Sequence, residues 1–313
     1  MKWENMRQSR NVEDRRGQTP RGPVPSGMGM GRGGGINPGI LFLLLRSRVG
    51  RWILILGVLF MLFGGGLGGL LGGNTSSVNI PQNTPNAQVE THQVPQQSAY
   101  DEDAAFVSAV LASTEDVWEE IFKQHGQTYV PPKLVLYTGA VQTQGCGFAS
   151  SAVGPFYCPG DEKVYIDLDF YDELQTKFQA PGDFAMAYVI AHEVGHHIQN
   201  ISGIMGDYNR ARQGMSETQA NELNVRLELQ ADYFAGVWAR YVDEQGYLDI
   251  GDLDEALQAA YAVGDDTLQE QAYGRVVPDS FTHGTSAQRQ NWFKRGYQYA
   301  DLGHGDTFNQ SID

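Results

Sequence analysis

The stretch VIAHEVGHHIQ, residues 189–199, carries three of the chain's seven histidines. His192 and His196 are four apart, so on a helix their imidazoles share one face, one turn apart, where they can grip one metal ion. Glu193 lies beside the first histidine, off that ligand pair, where it can move a proton to and from a metal-activated water. This is the H-E-x-x-H pattern of zinc hydrolases. Ala185, Ala187, Val189, Ile190, Ala191, Val194 and Ile198 make the surrounding 183–201 segment largely apolar, as a buried active-site helix requires. Gly195 costs about 1 kcal/mol of helix propensity, which close approach of another backbone can offset. His197 points about 100° away from His196 around the helix and reads as a structural histidine.

A zinc hydrolase needs a third protein ligand and an open fourth position. His283, His304, the two cysteines and the downstream carboxylates are the candidates. The segment NELNVRLELQADYFAGVWARY, 221–241, is an amphipathic helix with the stripe Leu227, Ala231, Phe234, Ala235 and Trp238. Glu228 and Asp232 edge that stripe, and unpaired acids resist burial. Either they form a solvated acidic edge, or Glu228 ligates the metal and Asp232 accepts the N–H of a ligating histidine.

The rest of the body reads as α+β. Helices are predicted over 101–126, 183–201, 216–245, 252–263 and 286–300, and strands over 133–137 and 163–170. In the last strand, Val164, Ile166 and Leu168 alternate with Tyr165, Asp167 and Asp169, the pattern of a half-buried strand.

The chain is strongly asymmetric before that body. Residues 1–51 carry a net charge of +7 against −15 for the whole chain. The acidic body argues against nucleic acid as a partner, because phosphate neutralisation needs clustered Lys and Arg. Gly and Pro dominate 17–39, and the basic segment 1–51 is expected to be a disordered cytoplasmic head. Residues 52–71 are 20 in a row without a charge, about the length that spans hydrocarbon as a helix. Arg46, Arg48 and Arg51 precede that run and no base follows until Lys123. The expectation is therefore a single-pass helix in the bacterial inner membrane, with the N-terminus cytoplasmic and the body outside. Its glycines (64–66, 68 and 69) could support self-association. A linker over 72–99 then leads to the domain 100–313. Cys146 and Cys158 would pair as a disulfide in an oxidising compartment and stay free thiols in a reducing one.

HEVGHH, ELQADYFAG and DSFTHGTSAQR together resemble the bacterial family of putative neutral zinc metallopeptidases, membrane-anchored relatives of the thermolysin-like zincins. The likeness extends to NVEDRRG near the start and to GCGFASSAVGPFYCPGDEKVYIDLDFYDEL. It implies a zincin fold, with a small sheet over the active-site helix and an edge strand lining the cleft, a place that KVYIDLDF fits. It implies one Zn2+ held by His192, His196 and Glu228, with Glu193 as general acid/base. It implies that His283 and Arg289, six apart, complete the site. His283 would face the oxyanion, while Arg289 would orient Asp232 or Glu228 or bind a substrate carboxylate. The function so implied is a membrane-anchored zinc endopeptidase acting on peptides or proteins. A rival reading is a non-proteolytic, zinc-stabilised scaffold of the cell envelope, although a scaffold needs no proton shuttle at Glu193. A second is a structural membrane protein in which H-E-x-x-H is chance.

Overall fold

The computed structural model describes residues 1–18 and 95–313. The expected transmembrane helix over 52–71 lies outside the described residues, as do 19–51 of the head and 72–94 of the linker. Among the described residues no helix is long and apolar enough to cross a membrane. The chain divides into two compact units, and the described residues belong to the one formed by Met1–Gly22 and Gln93–Asp313.

In chain order the elements are β1 (Val12–Asp14), α1 (Pro95–Gln124), β2 (Lys133–Tyr137), β3 (Ala140–Gln142), β4 (Phe148–Ser150), β5 (Phe156–Cys158), β6 (Lys163–Asp167), α2 (Asp169–Thr176), α3 (Asp183–Ile201), α4 (Ile204–Ala211), α5 (Glu217–Glu244), α6 (Asp252–Ala262), α7 (Asp265–Tyr273) and α8 (Ser286–Tyr299). The α+β class holds. A four-stranded sheet runs β1-β2-β6-β5, and β3 and β4 form a separate antiparallel hairpin. β1, β2 and β6 are parallel, and β5 is antiparallel to β6.

Two expectations about strands need correction. β6 is not the edge strand, because it pairs with β2 on one side and with β5 on the other. The edge falls to Phe156–Cys158, which is too short to show a period. β6 also ends at Asp167 rather than running to 170. The Asp167 carboxylate accepts the N–H groups of Gly139 and Asp169, at 2.7 and 3.1 Å, and so turns the chain into α2. Both faces of β6 are buried. Val164 and Ile166 join the helical core, while Tyr165 packs with Tyr137, Val141, Ala149 and Cys158 under the β3–β4 lobe. A lobe covering the second face removes the solvent-facing half that the alternation implied. Cys146 and Cys158 are bonded to each other and tie that lobe to β5.

The disordered head is corrected for residues 1–18, which fold onto the body. β1 lies in register with Leu134–Leu136 of β2. Trp3 meets Phe106 of α1 edge-on, with ring centroids 5.8 Å apart. Buried Glu115 of α1 accepts hydrogen bonds from Ser9 Oγ (2.6 Å) and Asn11 Nδ2 (2.8 Å) and is paired with Arg7. Without this strap an uncompensated charge would be buried. No apolar period announces residues 1–18, because ladder hydrogen bonds and ion pairs hold them. The body also starts earlier than 100, since α1 begins at Pro95.

Helix α3 sits under the sheet, with Phe184 to Gly195 buried almost without interruption. α5 starts at a capping box, Ser216 with Gln219, and α8 at another, Thr285 with Gln288. α3 and α5 touch at Gly195. A Cβ there would come within 3.0 Å of the Ala231 carbonyl oxygen, so the glycine is what lets α5 come close. At Gly236 and Gly296, α5 meets α8 backbone to backbone, with no room for a side chain on either.

Candidate metal centre

Three donors converge where α3 faces α5. Glu228 Oε2 lies 3.2 Å from His192 Nε2 and 3.5 Å from His196 Nε2. The two rings stand nearly perpendicular, with centroids 4.8 Å apart. All three ligand atoms fall within 4.8 Å of one another. The i, i+4 spacing on α3 stacks the histidines, and the Gly195–Ala231 contact brings Glu228 within reach of both.

The outer nitrogens of the rings are occupied, which leaves Nε2 of each to face inward. His192 Nδ1 lies 2.8 Å from Asp232 Oδ1 and His196 Nδ1 2.9 Å from Gln199 Oε1. Both are acceptors, so each Nδ1 carries the proton. Asp232 is fully buried and takes three more donors. These are the Tyr188 hydroxyl at 2.6 Å, Arg289 Nε at 2.8 Å and Arg289 Nη2 at 3.0 Å. Gln199 is fixed in turn, because its Nε2 donates to Leu227 O and to Gln230 Oε1.

The charge balance favours a cation. Burial alone would lower the His192 pKa, but Asp232 and Glu228 outweigh it and lift the value to about 10. Burial likewise disfavours the Glu228 carboxylate, yet the two imidazoles hold it well below its ordinary range. Against the same burial, Arg289 and His192 bring Asp232 down to about 2. Two imidazole nitrogens and one carboxylate oxygen are a ligand set of catalytic zinc sites.

A cleft of about 440 Å3 opens on these donors, and His192, Glu193, His196, Glu228, His283 and Arg289 all line it. Its walls include Phe156, Tyr157, Phe170, Phe178, Val189 and Leu268. A larger apolar cavity of about 520 Å3 lies elsewhere, among Phe122, Ile198, Tyr208, Leu223, Phe234 and Phe308. None of the three converging donors lines it, so the smaller cleft is the functional candidate.

His283 is half exposed at the cleft. Its loop is organised by Asp265, whose Oδ2 accepts the backbone N–H groups of Thr282, His283 and Gly284 at 2.6, 2.6 and 3.1 Å. Asp265 Oδ1 lies 3.3 Å from His283 Nδ1. Arg289 is buried against Asp232 and not against Glu228. His197 is fully buried away from the donors, with Nε2 donating to Val130 O (2.8 Å) and Nδ1 accepting from the Tyr157 hydroxyl (3.0 Å). Burial lowers its pKa, so it is a neutral clamp between α3 and β5. His304 pairs with Asp301 away from the cleft.

The family described as "Putative neutral zinc metallopeptidase" matches residues 1–308. The chain belongs to this family. The chain is 47% identical over 312 residues to the uncharacterized protein YpfJ of Escherichia coli K12, a match that covers all of both chains. It is 44% identical over 215 residues to the uncharacterized protein Rv2575 of Mycobacterium tuberculosis H37Rv, covering 65% of this chain and 71% of that one. No solved structure matches.

Sequence reasoning missed Tyr188, Gln199 and Asp265 at this candidate metal site. Tyr188 precedes His192 by four residues and Gln199 follows His196 by three, so helical spacing could have found both. Nothing local connects Asp265 to His283, 18 residues away on another element.

The Asp232 network makes a first prediction. Asp232→Asn keeps an acceptor for His192 but removes the charge that balances Arg289. Zinc affinity falls about 10–100-fold, the usual cost of losing an outer partner of a ligating histidine. Competition with a chromophoric chelator measures it.

Proposed function

We propose that the protein is a zinc endopeptidase whose metal is held by His192, His196 and Glu228. The observation that carries this reading is the convergence of those three donors on a cleft that Glu193 also lines. Zinc, when bound, polarises the scissile carbonyl and acidifies a water towards a pKa near ~7.

The chain's own groups do the rest. Glu193 takes the proton from the attacking water and delivers it to the departing amine nitrogen, so the proton count closes. His283 donates to the carbonyl oxygen as that oxygen becomes negative, and Asp265 holds the loop that aims it. Asp232, Tyr188 and Arg289 keep the His192 ring from rotating, and Gln199 does the same for His196. β5 pairs only with β6 among the described residues, so its outer edge is open to an extended peptide along the cleft. The aromatic and aliphatic walls suit an apolar side chain next to the scissile bond.

The test uses the full chain, because residues 1–18 belong to the fold. Purified protein cleaves an unfolded protein such as reduced casein, a chelator abolishes cleavage, and zinc restores it. A zinc-loaded chain that leaves the substrate intact would overturn the endopeptidase reading in favour of a zinc-stabilised scaffold.

A further inference from the structure

We propose that the apolar cavity of about 520 Å3 lined by α3, α4 and α5 binds a small apolar amine, and that filling it steadies the ring of His196. The binding stands without the peptidase reading. The coupling rests on one part of that reading, that His196 is a metal ligand.

The walls decide the body of the ligand. Phe122, Ile198, Tyr208 and Phe234 line the cavity and are all buried in the fold. The volume falls in the range that encloses most of a drug-sized molecule, and burial of its hydrocarbon or aromatic surface drives binding. A few polar groups then select the head. Asp207 and Asp306 belong to the lining, and no lysine or arginine does among the described residues. Arg210 pairs with Asp207, but both side chains are exposed and water screens such a pair. His125 lines the cavity too. Its Nδ1 donates to Ile121 O at 2.9 Å, which leaves Nε2 an acceptor. Two carboxylates and an acceptor nitrogen favour a positive head that donates hydrogen bonds, and they repel a carboxylate or a phosphate. An ammonium group on an apolar body meets both demands.

Two hydrogen-bond paths lead from this cavity to the candidate metal centre. Gln230 lines the cavity and is buried. Its Oε1 accepts from Gln199 Nε2 at 3.1 Å, and its Nε2 donates to Gly305 O at 2.9 Å. Gln199 Oε1 in turn accepts from His196 Nδ1 at 2.9 Å. Tyr208 begins the second path. Its hydroxyl donates to Asn224 Oδ1, and Asn224 Nδ2 donates at 2.8 Å to the carbonyl of Thr282, the residue before His283. With no ligand beside them, Gln230 and Tyr208 have room on the cavity side to swing out of these bonds. Doing so releases Gln199 or Asn224, and with it the His196 ring or the His283 loop. A ligand in the cavity bars that second arrangement. It therefore binds the ordered state better than the loosened one, which is the differential affinity that coupling requires. Zinc selects the same ordered state through His196 Nε2. Each of the two then tightens the other by one shared factor, about 5-fold or more.

The test measures two affinities on the purified full chain. The probe is 1-naphthylmethylamine, followed by calorimetry, with 1-naphthylacetate as a counterpart of similar size and opposite charge. We expect the amine to bind the metal-free protein and the acetate to bind at least about 10-fold more weakly. Saturating amine should raise zinc affinity about 5-fold or more, read by competition with a chromophoric chelator, and zinc should tighten the amine by the same factor. Ala211→Trp and Leu223→Trp fill the cavity from α4 and from α5. Each should abolish amine binding while the chain still takes up zinc. Ala211 is exposed at the end of α4, so its replacement leaves the fold intact. An amine that merely ligated zinc in the cleft would need the metal and would survive both tryptophans. Gln230→Met should keep amine binding and lose most of the zinc response. Absence of amine binding, equal binding of the acetate, or binding that persists in both tryptophan variants would overturn the site. A zinc affinity indifferent to saturating amine, or a full response in Gln230→Met, would overturn the coupling. Hydrolysis is not among these readouts, so failure of the peptidase reading is told apart from failure of this one.

Discussion

Glu193→Gln binds zinc like the parent and loses hydrolysis. The amide is nearly isosteric and leaves the His192, His196 and Glu228 donors untouched, so metal content stays at parity. It cannot take a proton from water or return one to the leaving nitrogen, and loss of a positioned acid/base costs about 10²–10⁴-fold. The fall should appear in kcat, because Glu193 is asked to act in the proton-transfer steps and not to hold the peptide. The measurement pairs metal analysis with kcat on the same preparation. Wild-type kcat at full zinc would remove Glu193 from the mechanism.

Glu228→Ala should have the opposite signature, with zinc lost while the chain stays folded. Glu228 contributes the only carboxylate among the three converging donors, and its side chain is all but 12% buried between the imidazoles. Removing it leaves two histidines, each still oriented from behind by Asp232 or Gln199, with no third ligand facing their Nε2 atoms. The affinity loss should exceed the about 10–100-fold that an outer partner costs. Because the neutral alanine also relieves a buried carboxylate, the helices of the body should still melt cooperatively. Metal analysis with a thermal melt checks both halves. A Glu228→Ala protein that retains stoichiometric zinc would mean that another group completes the site.

Much of this site could be read along the chain because its parts repeat at helical spacing. His192 and His196 are one turn apart on α3, and Glu228 and Asp232 one turn apart on α5. The apolar surroundings of each pair marked the face that turns inward. The boundaries of α3 were legible for the same reason, since an apolar run of that length on a 3.6 period has one good solution. Short strands were not. β5 has three residues, and its role as the cleft edge comes from pairing with β6 and from the disulfide beneath it. α7 carries no strong period, yet it supplies Asp265, which shapes the His283 loop.

The sequence by itself determined the chemistry available here: two imidazoles, a proton-carrying carboxylate and a pair of acids, each set by local helical geometry. Only the tertiary structure decided how they combine. Gly195 brings Glu228 to the histidines, Arg289 comes to Asp232 and not to Glu228, and residues 1–18 fold onto the body, with Val12–Asp14 as a strand of its sheet. Those outcomes rest on contacts between segments dozens to more than a hundred residues apart. Such contacts are selected by packing and by pairing of buried charge, and neither leaves a periodic trace in the chain.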